Sequence, residues 1–121
     1  MVKALLDSNI LIDLLKGIDL AKVELRRYKD RAISIITWIE LLAGATAMNE
    51  SGVRELLTSF ETVALDRSVA EDAAALRRTH RIKLPDAVIW ASARTQGRLL
   101  VTRNTKDFPA DDPGVRLPYR L

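Results

Sequence analysis

The sequence predicts an α/β fold of three layers, with an open, mainly parallel sheet of about four to five strands and helices on both faces. Three observations carry this expectation. The apolar runs Ala4-Leu5-Leu6, Ala32-Ile33-Ser34-Ile35 and Leu99-Leu100-Val101 are short and do not alternate with polar residues, as in strands covered on both sides. Longer stretches between them carry apolar residues at helical spacing. The two kinds of segment take turns along the chain, which is the order of a parallel sheet with helical crossovers.

Ala4-Leu5-Leu6 is the first strand, and the helix after it places Leu11, Leu14, Leu15 and Ile18 at helical spacing. Gly17 ends that helix. Residues 20–28 form a second, more charged helix. Residues 32–35 form the second strand, and 37–48 a helix apolar almost all round and therefore buried. In that helix Gly44, Ala45 and Ala47 permit close packing. A helix over 51–60, a strand over 62–65 and a long surface helix over 68–81 follow. Pro85 suits a first helical position and opens a helix running to about Gln96. Leu99-Leu100-Val101 is the fourth strand, and after a polar loop Val115-Arg116-Leu117 adds an edge strand.

At 121 residues the chain is expected to form a single domain, 1–121, burying roughly two-thirds of its unfolded surface. Hydrophobic residues make up 48% and charged residues 29%, an ordinary globular composition. There is no cysteine, so disulfides, zinc–thiolate sites and thiol nucleophiles are excluded. Met1-Val2-Lys3-Ala4-Leu5-Leu6-Asp7 lacks the long apolar stretch of a signal peptide, and no apolar run reaches the length of a membrane span. A cytoplasmic protein is the expectation. The net charge is +3 and the pI near 9.5. The basic residues gather in groups: Arg26, Arg27, Lys29 and Arg31; Arg77, Arg78, Arg81 and Lys83; Arg94, Arg98, Arg103 and Lys106. Many serve as solvated helix faces and ends, yet such a body suits a polyanion drawn in by its phosphates.

Against this background three acids stand alone in apolar surroundings. Asp7 is the only ionisable residue between Lys3 and Asp13, Glu40 between Arg31 and Glu50, and Asp86 between Lys83 and Arg94. A carboxylate is rarely buried without a partner, and three brought together repel one another. One of them then takes up a proton or a cation sits among them, and a hard divalent ion such as Mg²⁺ or Mn²⁺, which prefers oxygen ligands, is the expected occupant. Asp7 and Glu40 lie at the carboxyl ends of the first two strands, Asn104 and Asp107 follow the fourth, and Asp86 opens a helix. Each acid also has a structural reading. Asp7 caps a helix, Thr37-x-x-Glu40 and Ser68-x-x-Glu71 have the form of capping boxes, and Asn104 and Asp107 suit a polar turn. Glu71 beside Asp72 is read as purely structural. His80 is the sole histidine, so a two-histidine ribonuclease mechanism is impossible, and no glycine-rich phosphate loop is present. Trp38 and Trp90 are assigned to the core.

Four blocks together resemble those of PIN-domain ribonucleases: Leu5 to Ile12 around Asp7, Ser34 to Leu41 around Glu40, Leu84 to Ala91 around Asp86, and Leu100 to Phe108 around Asn104 and Asp107. Within that family the short chain looks like VapC, the toxin of type II toxin–antitoxin pairs. The resemblance implies that Asp7, Glu40 and Asp86 match the first three acidic positions, with neutral Asn104 at the fourth. Asp107, Thr102 and Ser8 are supporting residues of the same blocks. It further implies an Mg²⁺-dependent endoribonuclease, with Mn²⁺ a substitute. Asp7 and Asp86 would hold the ion, with Glu40 joining directly or through water. A homodimer, an RNA substrate and a cognate antitoxin are implied as well. The competing expectations are a catalytically silent PIN-like module that binds RNA or a protein partner, and a phosphoacceptor receiver domain. The second wants a paired acid at the first strand and a lysine after the last, and Asp7-Ser8 and the Thr102-to-Asp107 turn fit that badly.

Overall fold

The computed structural model describes residues 2–121; Met1, the first residue of the N-terminal segment read above, lies outside them. Five strands and six helices follow in the order β1 Ala4–Leu6, α1 Ser8–Leu15, α2 Asp19–Arg26, β2 Arg31–Ser34, α3 Ile35–Ala43, α4 Glu50–Thr58, β3 Glu61–Val63, α5 Arg67–His80, α6 Leu84–Arg94, β4 Leu99–Val101 and β5 Val115–Arg116. The strands make one sheet in the order β3-β2-β1-β4-β5. Every pairing is parallel, with Leu5 opposite Ala32 and Leu100.

Strand pleating divides the core in two. Leu5, Ala32 and Leu100 face Val69, Ala73 and Leu76 of α5 and the apolar side of α6, including Trp90. Ala4, Leu6, Ile33 and Val101 face the other way, onto Ile10 and Leu11 of α1, Leu41 of α3 and Val53 and Leu57 of α4. The α6 segment from Ala87 to Ala93 is buried throughout, whereas α1 to α5 each keep an exposed side. From β1 the chain builds outward through β2 to β3, then returns to the other side of β1 with β4. The strand order therefore reverses between β1 and β4, where open α/β sheets form a crevice at their carboxyl ends.

Three expectations need correction. The helix expected over 37–48 begins two residues earlier and ends at Ala43, with Ser34 as its cap, accepting a hydrogen bond from the Ile36 amide. Thr37 therefore lies inside the helix, and the Thr37-x-x-Glu40 capping box does not form. That helix is also not buried all round: Thr37 and Leu41 are buried, whereas Ile39 and Glu40 are exposed and Trp38 only partly covered. Its composition is apolar on both sides, but only one side meets the sheet. Likewise α5 is capped by Asp66, whose side chain accepts from the Val69 amide, rather than by Ser68. In both cases a better-placed acceptor upstream satisfies the first free amides. Among the described residues no helix is long and apolar enough to cross a membrane.

Candidate metal centre

The crevice between β1 and β4 is built around Asp7. This residue leaves β1 in extended conformation and caps α1, accepting from the Ser8 amide at 2.7 Å. Its Oδ2 also accepts from Thr102 Oγ1 at 2.7 Å and Asn9 Nδ2 at 3.2 Å. The structural reading of Asp7 as a helix cap is thus met. Burial holds its carboxyl above the ordinary range; the three hydrogen bonds oppose this, and Glu40 adds to it by repulsion.

Ser8, the next residue, links Asp7 to α3. Its Oγ lies 2.9 Å from Thr37 Oγ1 and 2.8 Å from Glu40 Oε1. A hydroxyl has one proton and an ionised carboxylate only accepts, so Ser8 donates to Glu40 and Thr37 supplies the proton toward Ser8. Thr37 is fully buried and Glu40 exposed. Glu40 therefore stands at the mouth of the crevice, not in the buried helix side expected from its apolar neighbours.

Asp86 lies in the first turn of α6, half-buried. Its carboxyl is pushed up from 3.8 to about 6, first by burial and then by Asp7, Asp107 and Glu40, with Lys83 opposing. Across the loop after β4, Asn104 Nδ2 donates to Asp107 Oδ2 at 2.9 Å, and the Asp107 amide donates back to Asn104 Oδ1 at 3.1 Å. Thr102 Oγ1 accepts from the Asn104 amide at 2.9 Å. Asn104 and Asp107 thus form the polar turn expected of them, and Asp107 also adds negative charge beside Asp86.

Four carboxylates share this pocket electrostatically, and none of Asp7, Glu40 and Asp86 has an ion-pair partner among the described residues. Their oxygen donors and uncompensated charge fit a hard divalent cation. Among the described residues, however, no three acidic groups converge closely enough to hold an ion as they stand.

Several of the grouped basic residues are already paired. Arg27 pairs with Glu24, Arg94 with Asp72, Arg98 with Asp30 and Glu61, and Arg103 with Asp13. Sequence reasoning missed Asn9, Thr37 and Asp13. Asn9 was detectable, since a polar side chain two residues past a capping acid sits in the first turn beside it. Thr37 was hidden by its resemblance to a cap. Asp13, buried as deeply as any acid in the chain, has its arginine ninety positions away in sequence.

The family model for the PIN domain matches residues 4–110. The chain belongs to the PIN-domain family. Its PIN-domain match runs from β1 through the loop that carries Asn104 and Asp107. The chain is 34% identical over 113 residues to Ribonuclease VapC10 of Mycobacterium tuberculosis, covering 87% of this chain and 85% of that protein. Among solved structures, a toxin–antitoxin complex from Klebsiella pneumoniae superposes with a TM-score of 0.92 at 44% identity, covering 98% of this chain and 100% of that one. FitAcB from Neisseria gonorrhoeae superposes with a TM-score of 0.78 at 25% identity, over 98% and 99% of the two chains. VapBC2 from Rickettsia felis, at 24% identity and a TM-score of 0.80 over 97% of each chain, shares the fold.

Proposed function

We propose that this PIN-domain chain is a metal-dependent endoribonuclease, the VapC-type toxin of a toxin–antitoxin pair. One observation carries the proposal: in a PIN-domain chain, Asp7, tied to Thr102 and Asn9, and Glu40, tied to Ser8, come to the same crevice as Asp86 with no ion-pair partner among the described residues. Burial first, and then their repulsion, helps push Asp86 up to about 6. A pocket that crowds like charges is poised for a cation. Likeness to Ribonuclease VapC10 and to the Klebsiella pneumoniae toxin–antitoxin complex supports RNA as substrate and a cognate antitoxin as partner. A cytoplasmic, homodimeric protein with one domain over 1–121 completes the reading.

Asp7 and Asp86 would hold the ion, with Glu40 joining directly or through water. When bound, Mg²⁺ or Mn²⁺ supplies electrophilic stabilisation of charge on the scissile phosphate and acidifies the attacking water. Thr102 and Asn9 fix Asp7 so that one oxygen lies along a defined direction. Ser8 aims Glu40, whose exposed carboxylate, or that of Asp7, orients the water and takes its proton. Water rather than the RNA 2′-hydroxyl would be the nucleophile, because a divalent ion held by these carboxylates would lower the pKa of a bound water.

Products decide the matter. Purified protein incubated with RNA and Mg²⁺ is expected to leave 5′-phosphate and 3′-hydroxyl ends, readable by ligation and sequencing. Ends bearing 2′,3′-cyclic phosphate would overturn the water mechanism. RNA bound but left intact would indicate the silent binding module instead.

A further inference from the structure

Two carboxylates outside the pocket are buried more deeply than Asp7 itself: Asp13 at 1% exposure and Glu24 at 3%. Each takes two hydrogen bonds from one arginine and one from a tyrosine. Asp13 accepts from Arg103 Nε at 2.6 Å, Arg103 Nη2 at 3.0 Å and Tyr119 Oη at 2.7 Å. Glu24 accepts from Arg116 Nε at 2.8 Å, Arg116 Nη2 at 3.1 Å and Tyr28 Oη at 2.6 Å. The two share this arginine and tyrosine pattern, and Glu24 has Arg27 beside it as well, but only the first has an arginine that also hydrogen-bonds a side chain of the crevice, Asn9, through its backbone amide.

Asn9 and Asp13 stand four residues apart on one side of α1. Arg103 grips both: its backbone amide donates to Asn9 Oδ1 at 3.2 Å while its guanidinium holds Asp13. Asn9 in turn donates to Asp7 Oδ2 and to Thr102 Oγ1, and Thr102 donates to the same Asp7 oxygen. Tyr119, beyond β5 and outside the PIN-domain match, closes the arrangement from the C-terminal segment. Asp13 is therefore the anchor that keeps residue 103 against α1, and residue 103 fixes where Asn9 and Thr102 point.

We propose that Asp13, Arg103 and Tyr119 form a positioning clamp that sets the orientation of the Asp7 carboxylate through Asn9 and Thr102; its effect on metal rests on the function proposed above. None of the three touches the pocket, so they are positioning residues. Groups that orient a ligand govern metal affinity although they do not meet the ion.

Glu24 supplies the control. Its link to Thr102 is the backbone hydrogen bond from the Thr102 amide to the Arg116 carbonyl, which Glu24→Gln leaves in place. The experiment compares wild type, Asp13→Asn, the milder Tyr119→Phe and Glu24→Gln. In metal-free ¹⁵N-labelled protein, the Asn9 side-chain amide resonances are expected to shift in Asp13→Asn and Tyr119→Phe and to stay fixed in Glu24→Gln. In Mn²⁺ calorimetry, Asp13→Asn is expected to weaken binding by about tenfold. Tyr119→Phe should weaken it less, and Glu24→Gln should leave it unchanged even where it lowers the melting temperature equally. Unmoved Asn9 resonances in both clamp variants would overturn the clamp, as would equal metal affinities in Asp13→Asn and Glu24→Gln. A wild-type protein that binds no Mn²⁺ would overturn the proposed function instead, and the Asn9 resonances would then decide the clamp alone.

Discussion

Thr102 Oγ1 donates to Asp7 Oδ2 across 2.7 Å, joining the carboxyl end of β4 to that of β1. These are the neighbouring strands between which the strand order reverses, so the bond spans the floor of the crevice. Both residues are buried, and the hydroxyl supports negative charge where burial opposes it.

Replacing Thr102 by valine keeps the shape and removes that donor. A hydrogen bond to a buried charged group contributes about 1.5–3 kcal/mol, and Thr102→Val is expected to lose stability of that order. Urea unfolding measures it. The same variant should bind metal more weakly, because Asp7 is then held by Asn9 and the Ser8 amide alone.

Asp86→Asn is expected to abolish cleavage while preserving or raising the stability of the metal-free protein. The amide keeps the shape and relieves repulsion from Asp7, Asp107 and Glu40. Glu71→Gln is the matched control, exposed on α5 and remote from the pocket, and should retain full activity. RNA cleavage and thermal melts on the two variants test this pair. Equal loss of activity in both would mean that the pocket has been misassigned.

The pH dependence follows from the same crowding. A carboxyl raised from 3.8 to about 6 binds more protons in the folded than in the unfolded chain between those values. Stability of the metal-free protein therefore falls as pH rises across that window, and the contribution is gone above pH 6. The upward displacement of Asp7 acts in the same sense. Melting temperatures from pH 4 to 7 should decline more steeply in wild type than in Asp86→Asn. Metal binding, which needs the ionised form, should strengthen over the same range.

Much of the fold was legible, because strands buried on both faces leave short apolar runs that sequence alone reveals. β4 occupies the expected residues, and the edge strand after the long loop is present. Where a helix starts was less legible. Thr37 and Ser68 each looked like caps, but Ser34 and Asp66 lay nearer the strand ends and took the role. Asp7 and Asp86, isolated in apolar sequence, do lie close enough for the charge of Asp7 to raise the Asp86 carboxyl. The same rule misjudged the exposure of Glu40, since an apolar helix with one free side shows the same composition as a buried one. Asp13 and Glu24 were invisible as buried acids because Arg103 and Arg116, which each hold one of them with two hydrogen bonds, come from the far end of the chain.

Asp66→Ala separates the two readings of α5. Loss of a side-chain cap typically costs about 1 kcal/mol, and this is the expected loss of stability, with cleavage unchanged. Ser68→Ala should be neutral. Denaturant titration of the two variants checks the assignment.

The central claim is that Asp7, Glu40 and Asp86 form one divalent-cation site. Calorimetric titration of Mn²⁺ into metal-free wild type, Asp7→Asn, Glu40→Gln and Asp86→Asn tests it most directly. Saturable binding to wild type, lost or strongly weakened in Asp7→Asn and Asp86→Asn and reduced in Glu40→Gln, is the expected result. Binding that survives unchanged in Asp7→Asn and Asp86→Asn, or a wild-type protein that takes up no ion near neutral pH, would contradict it.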